Sequence, residues 1–485
     1  MPETAPMPRA GRVEIDTRPL WIIVLARSRP LLMLLIGAAI FWIIRSLPPP
    51  AGLEPGAQKA LAVFGLCIFF WVFAVLPIMI TGLLAIILVP LSGVMSAKDA
   101  YAQFGNEAVF FILGAFILAA AMMKSGLSAR IALVILRRFG HRPTTMLLGI
   151  YILNSAMSFV MSEHAVAAMT FPIIVEVVTA LRLHPGRSNY AKLLFLSMAW
   201  GTSIGGVATL LGGARAPLAI GMLREVTGQS WSFTEWAILN VPLALLMMIA
   251  GWIVLRLWFP IDLADISAAE RAVQERLLSS GHPTLQEVSI AVVMSATILA
   301  WIMLGEEFGL ANIALSAVVA LFALRVVQWR DIEGYVNWGL ILMYGGAISL
   351  GSALNKSGAA SWVSQVTIGN WASSPIGVAM MISLAAMALT EVMSHSAAVA
   401  IIMPVSIAVA QHFGMDPRAM APLVAVPAGI AFMLPVGTPA NAIAFSSGYM
   451  QLSDMMWPGL ILNVVAYIIF NLLVFFYWPW VGVKL

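Results

Sequence analysis

The chain has 485 residues, of which 61% are hydrophobic and only 10% are charged. In soluble proteins roughly a quarter of all residues are charged, so this composition excludes a soluble protein. Apolar runs of about 20 residues recur between Leu31 and Trp480, as in a polytopic membrane protein. The net charge of +4 does not indicate nucleic-acid binding, and the single cysteine, Cys67, excludes a disulfide framework and a cysteine metal site.

The first thirty residues are basic and precede the first apolar run. The arginines of this segment are Arg9, Arg12, Arg18, Arg27 and Arg29. Positive charge beside a first span is retained in the cytoplasm, so residues 1–30 are predicted to be a cytoplasmic N-terminal segment. The run from 31 to 44 has arginine on both sides and no small-residue cleavage site, which favours a retained span over a signal peptide.

Apolar blocks between polar or Pro/Gly punctuation predict the spans of the first half. They lie near 31–47, 59–78, 80–95, 108–123, 143–161, 191–211 and 234–258, with an apolar arm that ends near 180. A polar segment follows, in which Glu270, Arg271, Glu275 and Arg276 are spaced as in an amphipathic or solvated helix. Taken as 259–287, it is the predicted linker between a first repeat, 31–258, and a second repeat, 288–485.

The second half repeats the order of the first. Its predicted spans lie near 288–304, 308–327, 337–354, 375–393, 419–436 and 454–481, with an apolar arm at 397–411. The Lys-Ser-Gly turn at 124–126 recurs at 356–358, and Pro172 recurs as Pro404, both at a separation of 232 residues (356 minus 124). The loop after the first arm carries more positive charge than the loop after the second, which favours copies of inverted orientation.

Two short polar breaks interrupt the apolar stretches at the same separation. They are Ser162-Glu163-His164 and Ser394-His395-Ser396. A hairpin tip within the bilayer exposes backbone groups that lipid cannot satisfy, so both tips are expected to line a cavity. The alternative is an ordinary helix kink in which serine bonds its own backbone.

A glycine- and proline-rich segment follows each hairpin, at 205–217 and at 434–441. Glycine and proline in the middle of a span unwind a helix, which frees carbonyls for cations and helix N-termini for anions. One tip and one unwound loop in each half therefore predict paired ion sites formed by two half-transporters.

The second loop, Gly437-Thr438-Pro439-Ala440-Asn441, and the pair Thr390-Glu391 before the second tip resemble the divalent anion:sodium symporter family, and the resemblance covers nearly the whole chain. It implies an all-α polytopic fold of two inverted repeats, each with a re-entrant hairpin and a discontinuous helix, with about 11 transmembrane helices besides the two hairpins. It also implies an elevator-type carrier of small divalent anions, a homodimer in the bilayer, and placement in a bacterial inner membrane.

The resemblance also implies site residues. Sodium ligands would be Ser158, Ser162, Glu163 and the backbone of Gly212 in one shell, and Thr390, Ser394, His395 and the backbone of Gly437 in the other. Substrate contacts would be Ser162, Glu163, His164, Arg215, Ser394, His395, Ser396, Thr438 and Asn441. No other cofactor is expected.

The departures from the family pattern concern the cation. Glu163 and His395 stand where the family tips carry Asn, His164 stands where Thr is expected, and the first loop reads Gly-Gly-Ala-Arg-Ala in place of Gly-Thr-Pro-Pro-Asn. A guanidinium is a permanent cation without an acceptor, so Arg215 paired with Glu163 would replace a sodium ion. Two alternatives stay open, a clamp on the substrate carboxylate and an arginine that reaches the membrane interface.

The leading prediction is a secondary transporter of dicarboxylates or sulfate whose sodium dependence is reduced or lost at the first site. The two tip histidines, His164 and His395, leave a proton-coupled carrier or an anion exchanger open, although either histidine could be structural. An intramembrane metal hydrolase is disfavoured because no His-Glu-x-x-His helix is present. A channel is the other competing class.

Overall fold

A computed structural model describes residues 20–367 and 374–485, and the elements within those ranges are helices joined by turns. Most of the predicted cytoplasmic segment, 1–30, lies outside the described residues. Nine helices in the described ranges are long and apolar enough to cross a membrane, in agreement with the predicted polytopic fold. The helices α3 and α14, given below, are apolar but shorter.

The first half of the chain contains eleven α-helices. They are α1 (Leu20–Ser46), α2 (Pro55–Val72), α3 (Ile78–Leu91), α4 (Ala97–Ala102), α5 (Glu107–Lys124), α6 (Leu127–Phe139), α7 (Pro143–Met157), α8 (Glu163–Ala180), α9 (Asn189–Gly205), α10 (Arg215–Thr227) and α11 (Phe233–Trp258).

A further helix, α12 (Ser267–Ser279), lies in the predicted linker and packs against α6 and α8. The remaining helices are α13 (Leu285–Phe308), α14 (Leu310–Ala323), α15 (Trp329–Ile332), α16 (Trp338–Lys356), α17 (Ala359–Thr367), α18 (Pro375–Val392), α19 (His395–Phe413), α20 (Met420–Ala425), α21 (Pro439–Ser446) and α22 (Leu452–Leu472).

The ten helices from α2 to α11 match those from α13 to α22 in order and kind, and the local chemistry of equivalent positions agrees. Asn106 and Asn337 both cap the helix that follows, by accepting backbone N–H groups of Ala108 and Leu340. Both Lys-Ser-Gly turns end in a glycine of positive φ, 85° at Gly126 and 74° at Gly358, a conformation that glycine adopts without strain. The inverted orientation of the copies stays a prediction.

Three predicted spans differ from the helices present. The helix in the span 191–211 ends at Gly205. The span 419–436 contains only the short α20, because Pro422, Pro427 and Pro435 interrupt the backbone hydrogen bonds there. In the last span the α-helix gives way after Leu472 to a π-helical turn, Leu473–Tyr477. The helices α10 and α21, which resume after the two unwound loops, were not predicted.

The helices pack as two groups, which meet where α10 contacts α5 and α16 and where α19 contacts α16. One group contains α1 to α5 and α13 to α16, and the other contains α7 to α11 and α18 to α22. At its last turns α10 crosses between them: Arg224 pairs with Glu107 of α5, and the Gly221 carbonyl accepts a hydrogen bond from the Asn106 amide at 3.3 Å. Glu225 accepts from Gln103 at 3.0 Å.

The contact between α3 and α16 rests on two glycines. A Cβ at Gly346 would lie 2.0 Å from the carbonyl oxygen of Gly82, and a Cβ at Gly82 would lie 2.8 Å from the Cα of Met343. Small residues of this kind let two membrane helices approach at backbone distance, where van der Waals packing replaces the hydrophobic effect as the source of stability.

We expect Gly346→Ala to lower the stability of the purified protein in detergent by about 1 to 3 kcal/mol, because its methyl group has to push the α3 backbone away. Gly351→Ala, on the same helix, is the matched control, since its Cβ would meet its nearest neighbour at an ordinary 3.4 Å. Thermal unfolding followed by tryptophan fluorescence measures both. Equal melting temperatures for the two variants would contradict the close-packing account.

Candidate functional site

Each polar break ends one helix and starts another. After α7 the chain turns, and Ser162 caps α8 by accepting the Ala165 N–H at 3.4 Å. After α18, Ser394 caps α19 by accepting the Ala397 N–H at 3.4 Å. The serines therefore do bond their own helices, as in a kink, but the helical path is broken at both places. Two helix N-termini, which are the positive ends of their dipoles, result.

Both tips line one cavity of about 560 Å³. It brings together Ser162, Glu163, His164, Arg215, Ser394, His395 and Ser396. The opposite wall is formed by α5, with Phe116 and Met123, and by Tyr335 and Asn337 ahead of α16. Seven of the nine predicted substrate contacts therefore share a single space between the two groups of helices.

The centre of this site is a buried cluster of three side chains, which we call the Arg215 cluster: Arg215, Glu163 and His395. Nη1 of Arg215 lies 3.2 Å from Oε1 of Glu163 and 3.1 Å from Nδ1 of His395. Nδ1 of His395 is 3.0 Å from the same Oε1. The side chains are only 2%, 8% and 6% exposed, so the charges are satisfied by one another.

Three glycines make room for the guanidinium. A Cβ at Gly429 would lie 2.2 Å from Nε of Arg215, and a Cβ at Gly213 would lie 2.3 Å from Nη1. Gly206 is the third, since a Cβ at this residue would lie 3.3 Å from Nη2 of Arg215. Because Gly206 and Gly213 belong to the first half and Gly429 to the second, the cation occupies a slot between backbones of both repeats.

The predicted first sodium shell lies beside this slot. The Gly212 carbonyl accepts the Glu163 N–H at 2.9 Å, which ties the first loop to the first tip. A Cβ at Gly212 would lie 2.6 Å from the carbonyl oxygen of Ser158, so tip and loop are in direct contact. The predicted pairing of Arg215 with Glu163 is therefore present, and Arg215 does not extend to the membrane interface.

Of the predicted second shell, Thr390 lies beside the second loop with Thr438 and Asn441, whereas Ser394 and His395 line the cavity. Thr438 accepts the Asn441 N–H at 2.9 Å, and the Asn441 amide donates to the carbonyls of Ala431 and Leu434. Thr390 donates to the Ala428 carbonyl at 2.8 Å. Thr438 and Asn441 do not line the cavity in this structure, and their predicted contact with substrate stays a prediction.

The Glu391 carboxylate holds the backbone of the second loop. Its carboxylate accepts the N–H groups of Phe432 and Leu434, at 3.1 and 3.0 Å, and the side-chain amide of Asn463. The carboxylate therefore braces the second loop. Asn463 was not predicted, although a polar amide in the middle of the last apolar span was a signal for it.

The two tip histidines have different surroundings. His395 is buried in the Arg215 cluster, whereas His164 is exposed at the cavity wall. The separation of 232 residues pairs His395 with Glu163, not with His164, so the two first helical residues after the caps are the ones that meet. Arg215 has no arginine counterpart, since Ala440 holds the third position after Gly437.

Comparisons with known proteins agree with this architecture. A model of the sodium:sulfate symporter transmembrane region matches residues 28–484. A sodium-dependent dicarboxylate transporter of Staphylococcus saprophyticus is 27% identical over 472 residues, which cover 92% of this chain and 91% of that protein. One from Staphylococcus aureus is 27% identical over 477 residues, which cover 93% of this chain and 91% of that protein.

Two solved structures share the fold at low identity. MtrF of Neisseria gonorrhoeae, from a class of antimetabolite efflux pumps, aligns with a TM-score of 0.55 and 14% identity over 94% of this chain and 95% of its own. The YdaH transporter of Alcanivorax borkumensis aligns with a TM-score of 0.51 and 14% identity over 96% and 99%. The protein is thus a multi-pass membrane protein with a transporter fold.

We expect Glu163→Leu or Arg215→Met to destabilise the protein by about 3 to 5 kcal/mol, because each leaves a buried charge without its partner. The double variant should recover most of that loss, since both charges are then gone. Melting temperatures in detergent measure the three variants. Asp331→Asn is the control: its partner Lys124 lies 3.6 Å away with both side chains more than 40% exposed, so a change within about 0.5 kcal/mol is expected. Additive losses in the double variant would contradict the pairing.

Proposed function

The chain belongs to the sodium:sulfate symporter family, and from this premise we propose that it carries small dicarboxylates such as succinate or malate across the membrane. Members of the family and the relatives named above are transporters, and this chain is a transporter and not an enzyme. Dicarboxylates are proposed ahead of sulfate because the similar proteins of both Staphylococcus species are named for dicarboxylates.

The observation that carries the proposal is the cavity between the two tips. The N-termini of α8 and α19 border it, and each is the positive end of a helix dipole. Ser396 and Asn337 add side-chain donors, and Arg215 lines the same cavity with its charge paired to Glu163. An anion with a carboxylate at each end suits a space that two helix N-termini border, because each carboxylate would find its own set of donors.

We propose that Arg215 takes the place of the sodium ion at the first site. Its guanidinium fills a glycine-lined slot beside the Gly212 carbonyl and carries the single positive charge that an ion would carry. Unlike an ion, the guanidinium cannot dissociate from the protein. It also has no acceptor atom that could bind a sodium ion. The second loop is then the remaining site for sodium.

Transport would follow an elevator-type movement in a homodimer, as the family implies. The group of helices that carries both tips would slide against the other group, and α10 would be the sliding surface because it contacts α5 and α16. The cavity borders α6, which packs on α12. The loop between α8 and α9 carries the basic residues Arg182 and Arg187. By the positive-inside rule we expect this loop to face the cytoplasm.

Anion exchange is the second candidate mode, and the bound arginine favours it. A symporter releases its sodium with the substrate, whereas Arg215 stays buried after the substrate leaves. The empty carrier would return with the positive helix ends of α8 and α19 facing no anion, which raises the barrier for return without a second anion.

We expect labelled succinate to enter proteoliposomes at a rate that changes less than about twofold when external sodium is replaced by choline. The fixed cation supplies the charge, so sodium has no first site to fill. Unlabelled succinate inside the vesicles distinguishes exchange, which requires it, from net uptake, which does not. Strict dependence on sodium, with two sodium ions moved per substrate, would contradict the proposal.

A family-like tip should restore a sodium requirement. In Glu163→Asn/Arg215→Ala both charges are removed and an oxygen ligand takes the place of the carboxylate. We expect uptake by this double variant to be stimulated at least about tenfold by sodium, corresponding to about 1.4 kcal/mol of coupling. Arg224→Ala, which removes an arginine from the other end of α10, is the control and should leave sodium independence intact.

A further inference from the structure

We infer that Arg137 and Arg138, at the end of α6, bind the phosphate group of an anionic phospholipid whose acyl chains lie against the apolar side of the same helix. The inference goes beyond the proposed function, because it concerns the lipid around the protein and not the anion that the protein carries. It depends on a groove along α6, on the two arginines in that groove and on the side of the membrane on which α6 lies.

The helix α6 has the length and the composition of a helix that lies along a membrane surface. Its 13 residues, Leu127–Phe139, span about 20 Å, whereas the hydrocarbon core of a bilayer is about 30 Å thick. The face that packs on neighbours such as α7 and α12 contains the buried residues Leu127, Ser128, Ala132, Leu133 and Leu136. The opposite face is both apolar and basic, since Val134 is 45% exposed and Arg137 and Arg138 are exposed. Amphipathic helices of this kind bind at the interface between lipid and water.

A groove of about 480 Å³ follows the outer side of α6. Apolar side chains and nitrogen-bearing side chains line it together: Val134, Ile135, Phe139, Arg137, Arg138 and His141. A phospholipid combines acyl chains with a negatively charged phosphate, so both kinds of side chain find a partner in one molecule. A free phosphate would use the guanidinium groups alone and would leave the apolar side chains without a partner.

Arg137 and Arg138 supply positive charge to this groove. In the described part of the chain, neither of the two guanidinium groups has a hydrogen-bond or ion-pair partner. His141, in contrast, places Nδ1 at 2.8 Å from a carboxylate oxygen of Glu270. Arg130, earlier on α6, is occupied by a glutamate of α13 at 2.9 Å. Two adjacent guanidinium groups without a carboxylate offer the charge and the donors that a phosphate group requires.

The helix α6 lies on the same side of the membrane as a basic loop. It packs on α12, and Arg276 of α12 pairs with Glu176 of α8, which leads into the loop that carries Arg182 and Arg187. By the positive-inside rule we expect this side to be the cytoplasmic one, where anionic lipids attract lysine and arginine. Because α6 joins α5 of one group of helices to α7 of the other, a lipid bound there holds the connection between the groups at the membrane surface.

The test measures phospholipid binding to the purified full-length protein in detergent by native mass spectrometry. Phosphatidylglycerol is compared with phosphatidylcholine that has the same acyl chains. We expect the wild type to bind phosphatidylglycerol about 25-fold more tightly, because each arginine near an anionic headgroup contributes about fivefold. In Arg137→Gln/Arg138→Gln this ratio of affinities should fall to about twofold or less, because both charges are gone.

Arg325→Gln/Arg330→Gln is the matched control, since it removes two exposed arginines near the turn between α14 and α15. That turn lies on the same side as the end of α12, because the Gln286 amide at the start of α13 donates to the Val326 carbonyl at 2.8 Å. The control should keep the wild-type ratio. An equal loss in both double variants would overturn the site, since the preference would then follow net charge.

Two further outcomes would overturn the inference. One is equal binding of the two lipids by the wild type, a measurement that needs no variant and is therefore unaffected by a variant that fails to fold. The other is displacement of phosphatidylglycerol by an excess of glycerol 3-phosphate, which has the phosphate without acyl chains. In that case the groove would be a site for free phosphate groups and not for a lipid.

Discussion

The burial of one permanent positive charge is the constraint on which this structure depends. Arg215 is 2% exposed at the junction of two helical groups, where desolvation of an unpaired guanidinium would be prohibitive. Glu163 compensates it with a full charge and His395 with a ring nitrogen. Because these partners are the first residues of α8 and α19, the arginine also fixes how closely the two hairpin tips approach.

The glycines of the unwound loops make room for this buried charge. Breaks that expose backbone carbonyls are suited to bare ions, yet here Gly213 and Gly429 leave a slot whose volume a side chain fills. The second loop keeps its own internal supports, with Glu391 on its amides and Asn441 on its carbonyls. The first loop therefore contributes a buried arginine, while the second loop keeps Gly437-Thr438-Pro439-Ala440-Asn441.

Local features of this protein could be predicted from its sequence, and long-range ones could not. The tips, the Lys-Ser-Gly turns and the linker helix follow from short patterns of polar, glycine and charged residues. The pairing of Arg215 with Glu163 was reached because an isolated membrane charge needs a partner. Its contact with His395 joins residues 180 positions apart, and the contact of Glu391 with Asn463 spans 72, so no local pattern contains either. The helix α10 was not predicted because glycines and a proline, which are poor helix formers, surround its first residues.

The helix α10 has one further consequence, which is pharmacological. Arg224, near its end, and Pro217, near its start, line a second cavity of about 650 Å³ that is separate from the one between the tips. Glu107, the partner of Arg224 on the other group of helices, lines it too. Under the proposed elevator movement, a small molecule wedged there would hold α10 against α5 without touching the anion site, and it would therefore inhibit transport non-competitively with respect to substrate.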